Sequence, residues 1–347
     1  MKRNEFELAK AARVLVEELM GLKAGETFVI TADTLSNERI VNATAAAAHA
    51  IGAKPMVIWT ATPDGPGPMV DDFLPSECIK AALTKADAWI EFNWMYILYS
   101  DISISSFKAN NKLRELVLPC MDEDVFIRMF AKTEFEPLKA FMEAVTAKTL
   151  AAKEIRLTSK LGMDVTFKNV PGWPISCDTG HALTPGIHQL AGQIGWECDF
   201  DSVNGVIVFD GSLVPQIGIV DEPVKVHMKD GEIIKIEGGA KAREWERFLK
   251  DFNDPQMFRV SHVCYGFHPG AKMAGFLGED ERVWGCTQWG FGSIGPCPKY
   301  PDGLLAASHT DGVSLNTTVY LDGTMIMENG KMVDPELKEL AKAVGKE

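Results

Sequence analysis

The sequence predicts an α/β N-terminal domain, a parallel sheet with covering helices, over residues 1–150, followed by an α+β, strand-rich C-terminal metal-binding domain over residues 151–347. Three observations predict this architecture. The first half alternates helical and strand patterns, as parallel sheets with crossover helices do. The second half carries short strands separated by turn signals. The length of 347 residues also corresponds to about two ordinary domains.

The elements of the first half follow in regular order. Apolar residues at helical spacing over 4–22 predict a helix, and ETFVITAD at 26–33 predicts a buried strand. The same elements recur in NERIVNATAAAAHAIG, KPMVIWT, DDFLPSECIKAALTKA and DAWIEFN. A last helix is predicted at about 134–152, after which the pattern changes. We therefore expect a domain boundary near residue 150.

The second half reads as strands and hairpins. Its strand candidates are KEIRLTS, MDVTFKN, GVIVFDG, VKVHMKDGEIIKIEGG and VYLDGTMIMENGKMV. The pairs Asp230-Gly231, Asp322-Gly323 and Asn329-Gly330 predict tight turns, because both central positions of such turns require positive φ. An antiparallel arrangement is therefore expected here.

Composition excludes several classes of partner. The net charge of −13 would repel a phosphate backbone, and no Lys/Arg cluster offsets it, so nucleic acid is not expected. No apolar run of about 18 residues predicts a membrane span. The seven cysteines form an odd set without a CxxC pair, which favours reduced thiols. We therefore expect a cytoplasmic protein.

Phosphate-binding loops are absent from the sequence. No GxGxxG follows the first strand and no GxxxxGK[ST] occurs, so neither a dinucleotide nor a nucleoside triphosphate is implied. The N-terminal half is therefore interpreted as scaffold.

The segment AASHTDGVSL at 306–315 carries a candidate metal site. In a strand, His309 and Asp311 would point to the same face. A third ligand would come from RVSHVCYGFHPGAK, where His262 ends a strand-like run. Two imidazoles and one carboxylate leave positions open on Fe(II) for substrate and O₂. The alternative is a hydrogen-bonded histidine followed by an Asp-Gly turn.

These segments, with VKVHMKDGEIIKIEGGAKAREWERFLKDFNDPQ, resemble the 2,5-dihydroxypyridine 5,6-dioxygenase family and, more distantly, metallo-aminopeptidases of the aminopeptidase T type. The resemblance implies one Fe(II) per subunit, held by His262, His309 and Asp311, with O₂ as co-substrate. The peptidases carry a second-metal histidine in a segment similar to GCTQWGFGSIG, where this chain has Gln288. One metal ion is therefore expected rather than two.

The resemblance also suggests residues for the substrate. The family's proton-accepting histidine matches Tyr99, a phenol that is a weak base at neutral pH. Either Tyr99 donates a hydrogen bond, or His181 or His188 in the Gly/Pro-rich loop CDTGHALTPGIHQLAG accepts the proton, or the substrate differs. Asp178 would form a polar wall near the ion. Trp289 is expected in an aromatic wall for a flat ring, and core packing is the alternative.

The expected function is therefore that of an Fe(II)-dependent, extradiol-like ring-cleaving dioxygenase. Its substrate would be a hydroxylated aromatic such as 2,5-dihydroxypyridine, and the family outcome would be N-formylmaleamate. Ser293 would hydrogen-bond a ring substituent. The alternatives are a metal-dependent amidase or aminopeptidase, in which the ion activates water, and a catalytically silent binding protein. By resemblance, a homo-oligomer is expected.

Overall fold

The structure is a computed structural model that describes residues 4–214 and 216–346, without the side chain of Leu277. The strands are β1 Thr27–Asp33, β2 Lys54–Thr60, β3 Ala88–Glu91, β4 Arg114–Val117, β5 Glu154–Thr158, β6 Asp164–Lys168, β7 Ser176–Asp178, β8 Gly186–Gln189, β9 Gln193–Trp196, β10 Asn204–Phe209, β11 Ser212–Val214, β12 Gly218–Ile219, β13 Val224–Lys229, β14 Glu232–Glu237, β15 Val260–Gly266, β16 Cys286–Ile294, β17 Leu304–Ser314, β18 Thr318–Leu321, β19 Thr324–Glu328 and β20 Lys331–Met332. The α-helices are α1 Glu5–Arg13, α2 Glu38–Ala50, α3 Ser76–Leu83, α4 Asp101–Ala109, α5 Glu123–Phe126, α6 Phe135–Ala151, α7 Ala240–Asp251, α8 Leu277–Asp280 and α9 Pro335–Ala343. Two π-helical turns, Val14–Leu19 and Ile127–Ala131, continue α1 and α5.

The chain divides into two compact units. The first comprises Met1–Thr133 with Asp178–Ala191, and the second comprises Glu134–Cys177 with Gly192–Glu347. No helix of the described residues is long and apolar enough to cross a membrane.

The first unit is built on a parallel sheet with strand order β2-β1-β3-β4-β8. All four pairings between its neighbouring strands are parallel. One face of the sheet packs its apolar side chains against α3 and α4 in a buried cluster that includes Val29, Trp89, Ile79 and Ile102. The predicted α/β fold class of this half is confirmed.

The fifth strand of this sheet comes from a distant part of the chain. In β8, His188 pairs with Leu116 of β4. The segment around His181 and His188 was expected to be a Gly/Pro-rich loop throughout. Its second half instead forms the strand β8. Local sequence does not show this, because the strand is completed by hydrogen bonds to a partner some seventy residues earlier.

The second unit contains two sheets whose assigned pairings are antiparallel. Their strand orders are β14-β13-β10-β6-β5-β18-β19-β20 and β12-β11-β17-β16-β15-β9-β7. The predicted hairpins are confirmed, because Asp230-Gly231, Asp322-Gly323 and Asn329-Gly330 all have positive φ at both positions. Between the sheets, the rings of Phe167 and Trp289 lie 5.2 Å apart, centroid to centroid, in a T-shaped contact.

The division between the units precedes α6, whereas the sequence placed a domain boundary after it. The reason is that α6 packs with α9 of the second unit. Near its end, Nζ of Lys148 lies 3.2 Å from Oδ2 of Asp334 and 3.0 Å from Oε2 of Glu336. This helix therefore belongs with the strand-rich unit.

Candidate metal centre

Three neighbouring strands of the seven-stranded sheet bring the predicted ligands together. His262 lies on β15, and His309 and Asp311 lie on β17. The intervening strand β16 places Gly290 opposite both His262 and Asp311. A Cβ atom at position 290 would lie 2.3 Å from Cε1 of His262, so the missing side chain makes room for this imidazole. The side chains of His262 on β15 and Asp311 on β17 can therefore approach each other over Gly290 of β16.

The ligand atoms converge on one small volume. Nε2 of His262 lies 3.0 Å from Oδ1 of Asp311, and Nε2 of His309 lies 3.2 Å from Oδ2. The two imidazole rings are stacked at 5.2 Å with an interplanar angle of 19°. One ligand atom from each residue lies within 4.8 Å of the others. Both histidines therefore present the same nitrogen to one carboxylate.

The orientation of His309 is set by its other nitrogen. Nδ1 lies 2.9 Å from the backbone carbonyl of Ser293, an acceptor, so Nδ1 carries a proton, and in the neutral imidazole Nε2 keeps its lone pair. The same carbonyl also accepts a hydrogen bond of 2.8 Å from the hydroxyl of Ser261. Metal-binding histidines commonly have such a partner on the second nitrogen. This part of the site is therefore prepared for a ligand on Nε2.

Electrostatics at the centre favour the charged form of a buried acid. Burial opposes ionisation of Asp311, but the adjacent His309 and His262 outweigh it and lower the pKa of Asp311. Burial would likewise lower the pKa of His309, and the neighbouring Asp311 raises it instead. The site thus holds negative charge at a place where a cation would be stabilised.

The residues present fit a divalent metal ion. Oδ1 of Asp311 is buried and has no hydrogen-bond partner, although Nε2 of His262 is close to it. A cation shared by the three side chains would contact this oxygen and both imidazole nitrogens. Two imidazole nitrogens and one carboxylate form the facial triad typical of non-haem Fe(II), with further positions open. Among the residues that the structure describes, these three form a group able to hold a metal.

Comparison with known proteins identifies the family of the chain. The family model of 2,5-dihydroxypyridine 5,6-dioxygenase matches residues 10–334. The chain belongs to this family. The curated 2,5-dihydroxypyridine 5,6-dioxygenase of Pseudomonas putida strain KT2440 is 26% identical over 321 residues, which cover 87% of this chain and 89% of that protein.

Solved structures show the same fold. The 2,5-dihydroxypyridine dioxygenase of P. putida KT2440 superposes with a TM-score of 0.79 at 20% identity, covering 96% of this chain and 99% of that one. Wild-type AmpT from Thermus thermophilus superposes with a TM-score of 0.67 at 16% identity, covering 95% and 100%. The fold of the dioxygenase family is therefore shared with AmpT.

Trp289 and Ser293, which the sequence predicted to contact the substrate, both lie on β16. Trp289 alternates with Gly290 on β16, so it points to the opposite face of the sheet, where it is fully buried against Phe167. We therefore assign Trp289 to the core. The hydroxyl of Ser293 contacts the backbone of β17, namely the carbonyls of Ala306 and Ser308 and the amide of Ala306. Ser293 thus acts on the site through its carbonyl.

The remaining predicted site residues belong to the first unit and are Tyr99, Asp178, His181 and His188. Tyr99 is 61% exposed and has a φ of 71°. Nδ1 of His181 lies 3.1 Å from Oγ1 of Thr179, and Nε2 of His188 lies 2.8 Å from the carbonyl of Thr184. Asp178 is the last residue of β7. Their roles toward a substrate stay predictions.

Two acidic residues near the triad were not anticipated. Glu281 is buried, which raises its pKa to about 8 together with the nearby charge of Asp311, and its Oε2 accepts a hydrogen bond of 3.0 Å from Gln193. Glu197 follows Trp196 of β9, which pairs with Val263, the residue after His262. Burial raises the pKa of Glu197. No local motif marks either residue, because Glu281, between α8 and β16, and Glu197, after β9, come close to the triad only in the folded chain.

Proposed function

We propose that this protein is a non-haem Fe(II)-dependent ring-cleaving dioxygenase that acts on a hydroxylated N-heteroaromatic ring such as 2,5-dihydroxypyridine. The product would be N-formylmaleamate, formed by insertion of both atoms of O₂ across a ring carbon–carbon bond. The observation that carries the proposal is the convergence of His262, His309 and Asp311 in a chain of this family. A homo-oligomer and a cytoplasmic location belong to the proposal as expectations.

The three ligands would hold the iron on one side only. When bound there, Fe(II) would supply positions at which a hydroxyl oxygen of the substrate and O₂ are brought together and electron density passes between them. The chain's own contribution is positional. The Ser293 carbonyl fixes the ring of His309, and the side-chain gap at Gly290 admits the ring of His262. Small errors in such placement are costly to the rate.

The surroundings of the triad limit access by water. Asp311 is 3% exposed, and Val313 and Gln288, beside it on the sheet, are buried. The imidazoles are more open, with side-chain exposures of 23% for His262 and 34% for His309. A substrate would therefore approach from the histidine side, while the carboxylate stays shielded.

Proton removal from the substrate hydroxyl requires an acceptor. Tyr99, His181 and His188 are proposed for this role from the sequence, with Asp178 as a polar contact. Of these, Tyr99 is the residue that the resemblance matches to the family's acceptor, and its side chain is exposed. Single replacements, Tyr99→Phe, His181→Gln and His188→Gln, would rank them by the alkaline shift of the pH at which kcat/KM is half-maximal.

Oxygen consumption tests the proposal. Protein reconstituted with Fe(II) without oxygen would be supplied with 2,5-dihydroxypyridine and ¹⁸O₂. We expect oxygen uptake equal to substrate loss, with two labelled atoms in the product. His309→Ala should abolish uptake and iron binding, whereas His49→Ala, which removes an exposed histidine on α2, should change neither.

Two results would contradict the proposal. One is an absence of uptake by protein shown to hold one iron, with this and other dihydroxylated rings. The other is amide or peptide hydrolysis by a Zn(II) or Co(II) form that needs no oxygen. The second result would establish the metal-dependent hydrolase instead.

A further inference from the structure

The loop 92–100, which joins β3 to α4, carries Tyr99 in a strained conformation. Its φ of 71° lies in the left-handed region, which a tyrosine rarely adopts. Such conformations persist where surrounding contacts determine them, and they are concentrated at functional sites. The side chain of Tyr99 is 61% exposed. Hydrogen bonds to the backbone on both sides of Tyr99 hold the loop.

Asp33, the last residue of β1, holds the beginning of the loop. Its Oδ2 accepts hydrogen bonds from the amides of Trp94, at 2.7 Å, and Met95, at 3.1 Å. Its Oδ1 accepts a bond of 2.9 Å from the amide of Leu35. Asp33 is fully buried. Both oxygens of one buried carboxylate are therefore used to fix backbone.

Glu91, the last residue of β3, holds the middle of the loop. Its Oε1 accepts a short hydrogen bond from the amide of Ile97, two residues before Tyr99. Leu98 contributes a second backbone hydrogen bond to this side chain. Glu91 is fully buried, and burial raises its pKa to about 8. The uncharged carboxyl group is therefore favoured at neutral pH, and the side chain of glutamine, which is uncharged and has a carbonyl oxygen, resembles it. An acceptor oxygen, rather than a charge, is what the loop requires here.

The end of the loop is fastened as well. Asp71 accepts hydrogen bonds from the amides of Asp101, at 2.8 Å, and Ile102, at 3.2 Å, at the start of α4. The amide of Gly67 donates to the carbonyl of Tyr96 at 2.8 Å. Side-chain acceptors thus hold backbone amides on both sides of Tyr99, and this makes its strained conformation tolerable.

We propose that Asp33 and Glu91 are positioning residues, which hold the loop 92–100 so that the phenol of Tyr99 is presented to the substrate. The inference rests on the proposed function for the role of Tyr99. The two carboxyl groups come from adjacent parallel strands, β1 and β3, and meet the loop at the carboxyl edge of the sheet. Open α/β sheets place ligands outside this edge.

Four variants separate positioning from general stability. Asp33→Asn replaces one acceptor oxygen with an NH2 group, which donates and cannot accept. Glu91→Met removes the acceptor at similar size, and Glu91→Gln keeps it. Asp87→Asn is the matched control, because Oδ2 of Asp87 accepts a backbone hydrogen bond of 2.8 Å from Thr27 at the opposite end of β1.

The first readout does not depend on activity. Protein labelled with 3-fluorotyrosine would give ¹⁹F resonances, and Tyr99→Phe would identify that of Tyr99 among the five tyrosines. We expect one narrow Tyr99 resonance in the unsubstituted protein, Glu91→Gln and Asp87→Asn. In Asp33→Asn and Glu91→Met it should shift, broaden or double. An unchanged Tyr99 resonance in both of these variants would overturn the proposal.

The second readout is a double-mutant cycle on oxygen uptake. Asp33→Asn should lower kcat roughly tenfold or more, with a smaller change in KM. In the Tyr99→Phe background it should cause little further loss, because both changes act through the same phenol. Equal losses in both backgrounds would refute positioning through Tyr99. If the unsubstituted protein consumes no oxygen, the proposed function fails, and the ¹⁹F spectra still decide whether the carboxyl groups position Tyr99.

Discussion

Replacing Gly290 with alanine tests whether the strand between the ligands sets the geometry of the metal centre. The new Cβ would lie 2.3 Å from Cε1, 2.5 Å from Nδ1 and 2.8 Å from Nε2 of His262. Ordinary contacts begin at about 3.4 Å, so the imidazole must move by about 1 Å. Metal–ligand distances are held to about 0.2 Å. His262 therefore cannot keep its place as a ligand.

The magnitude follows from the size of this displacement. Replacing a residue that hydrogen-bonds to a metal ligand commonly weakens metal binding or activity by roughly 10–100-fold. Gly290→Ala displaces a ligand directly, so we expect a loss at the upper end of this range or beyond it. The fold should persist, because His262 is half-buried and its ring can turn outward.

The assay is competitive titration of Fe(II) or Co(II) against a chelator, followed by oxygen uptake. Gly295→Ala is the matched control, since a Cβ at position 295 has no atom within 4 Å. Circular dichroism and the thermal midpoint would verify that both variants fold. Metal affinity of Gly290→Ala within about twofold of the control would refute the reasoning, because it would mean that His262 is not a ligand in the observed geometry.

Three further predictions follow from the described contacts. Glu91 and Glu115 are buried neighbours with raised pKa values, about 8 for Glu91, so the folded chain binds protons more tightly than the unfolded chain. Their stabilising contribution is complete below the ordinary value of 4.5 and is lost as pH rises through about 8. Glu115→Gln should therefore flatten the fall in the urea midpoint between about pH 5 and pH 9, and an unchanged slope would contradict this. Trp289→Phe should lower the thermal midpoint, since a large-to-small core change costs on the order of 1–3 kcal/mol. The KM for the aromatic substrate should change less than twofold. A rise in KM without a loss of stability would mean that Trp289 contacts the substrate. Asp311→Asn should abolish tight metal binding, measured by bound metal after gel filtration, and retention of one ion per chain would exclude Asp311 as a ligand.

Local sequence predicted those parts of the molecule that depend on local chemistry. The parallel sheet follows from the alternation of apolar patterns, and the hairpin turns follow from Asp-Gly and Asn-Gly pairs that tolerate positive φ. The shared face of His309 and Asp311 follows from strand periodicity alone. His262 was proposed as the third ligand from its own segment and then from the resemblance, and the strand register places it beside the other two.

The remaining features depend on pairing between distant strands. Trp289 and Gly290 are adjacent in sequence, and which of them faces the triad is decided by the register of β16 against β15 and β17. Glu197 approaches the centre because it follows β9, which pairs with β15, and Glu281 lies in the connection between α8 and β16. The strand that contains His188 exists because β4 offers its edge. None of these relations leaves a periodic signal in the surrounding residues.

The origin of β8 has a consequence for how the polypeptide can be made and divided. Because this strand belongs to the segment Asp178–Ala191, the first unit is not a continuous stretch of chain. A fragment cut near residue 150 would leave β4 without its outer neighbour, as an edge open to pairing with other chains. During synthesis, the parallel sheet cannot be completed until residue 189 has left the ribosome, by which time β5 to β7 of the second unit have also emerged. The first unit can therefore be completed only after part of the second unit has been synthesised.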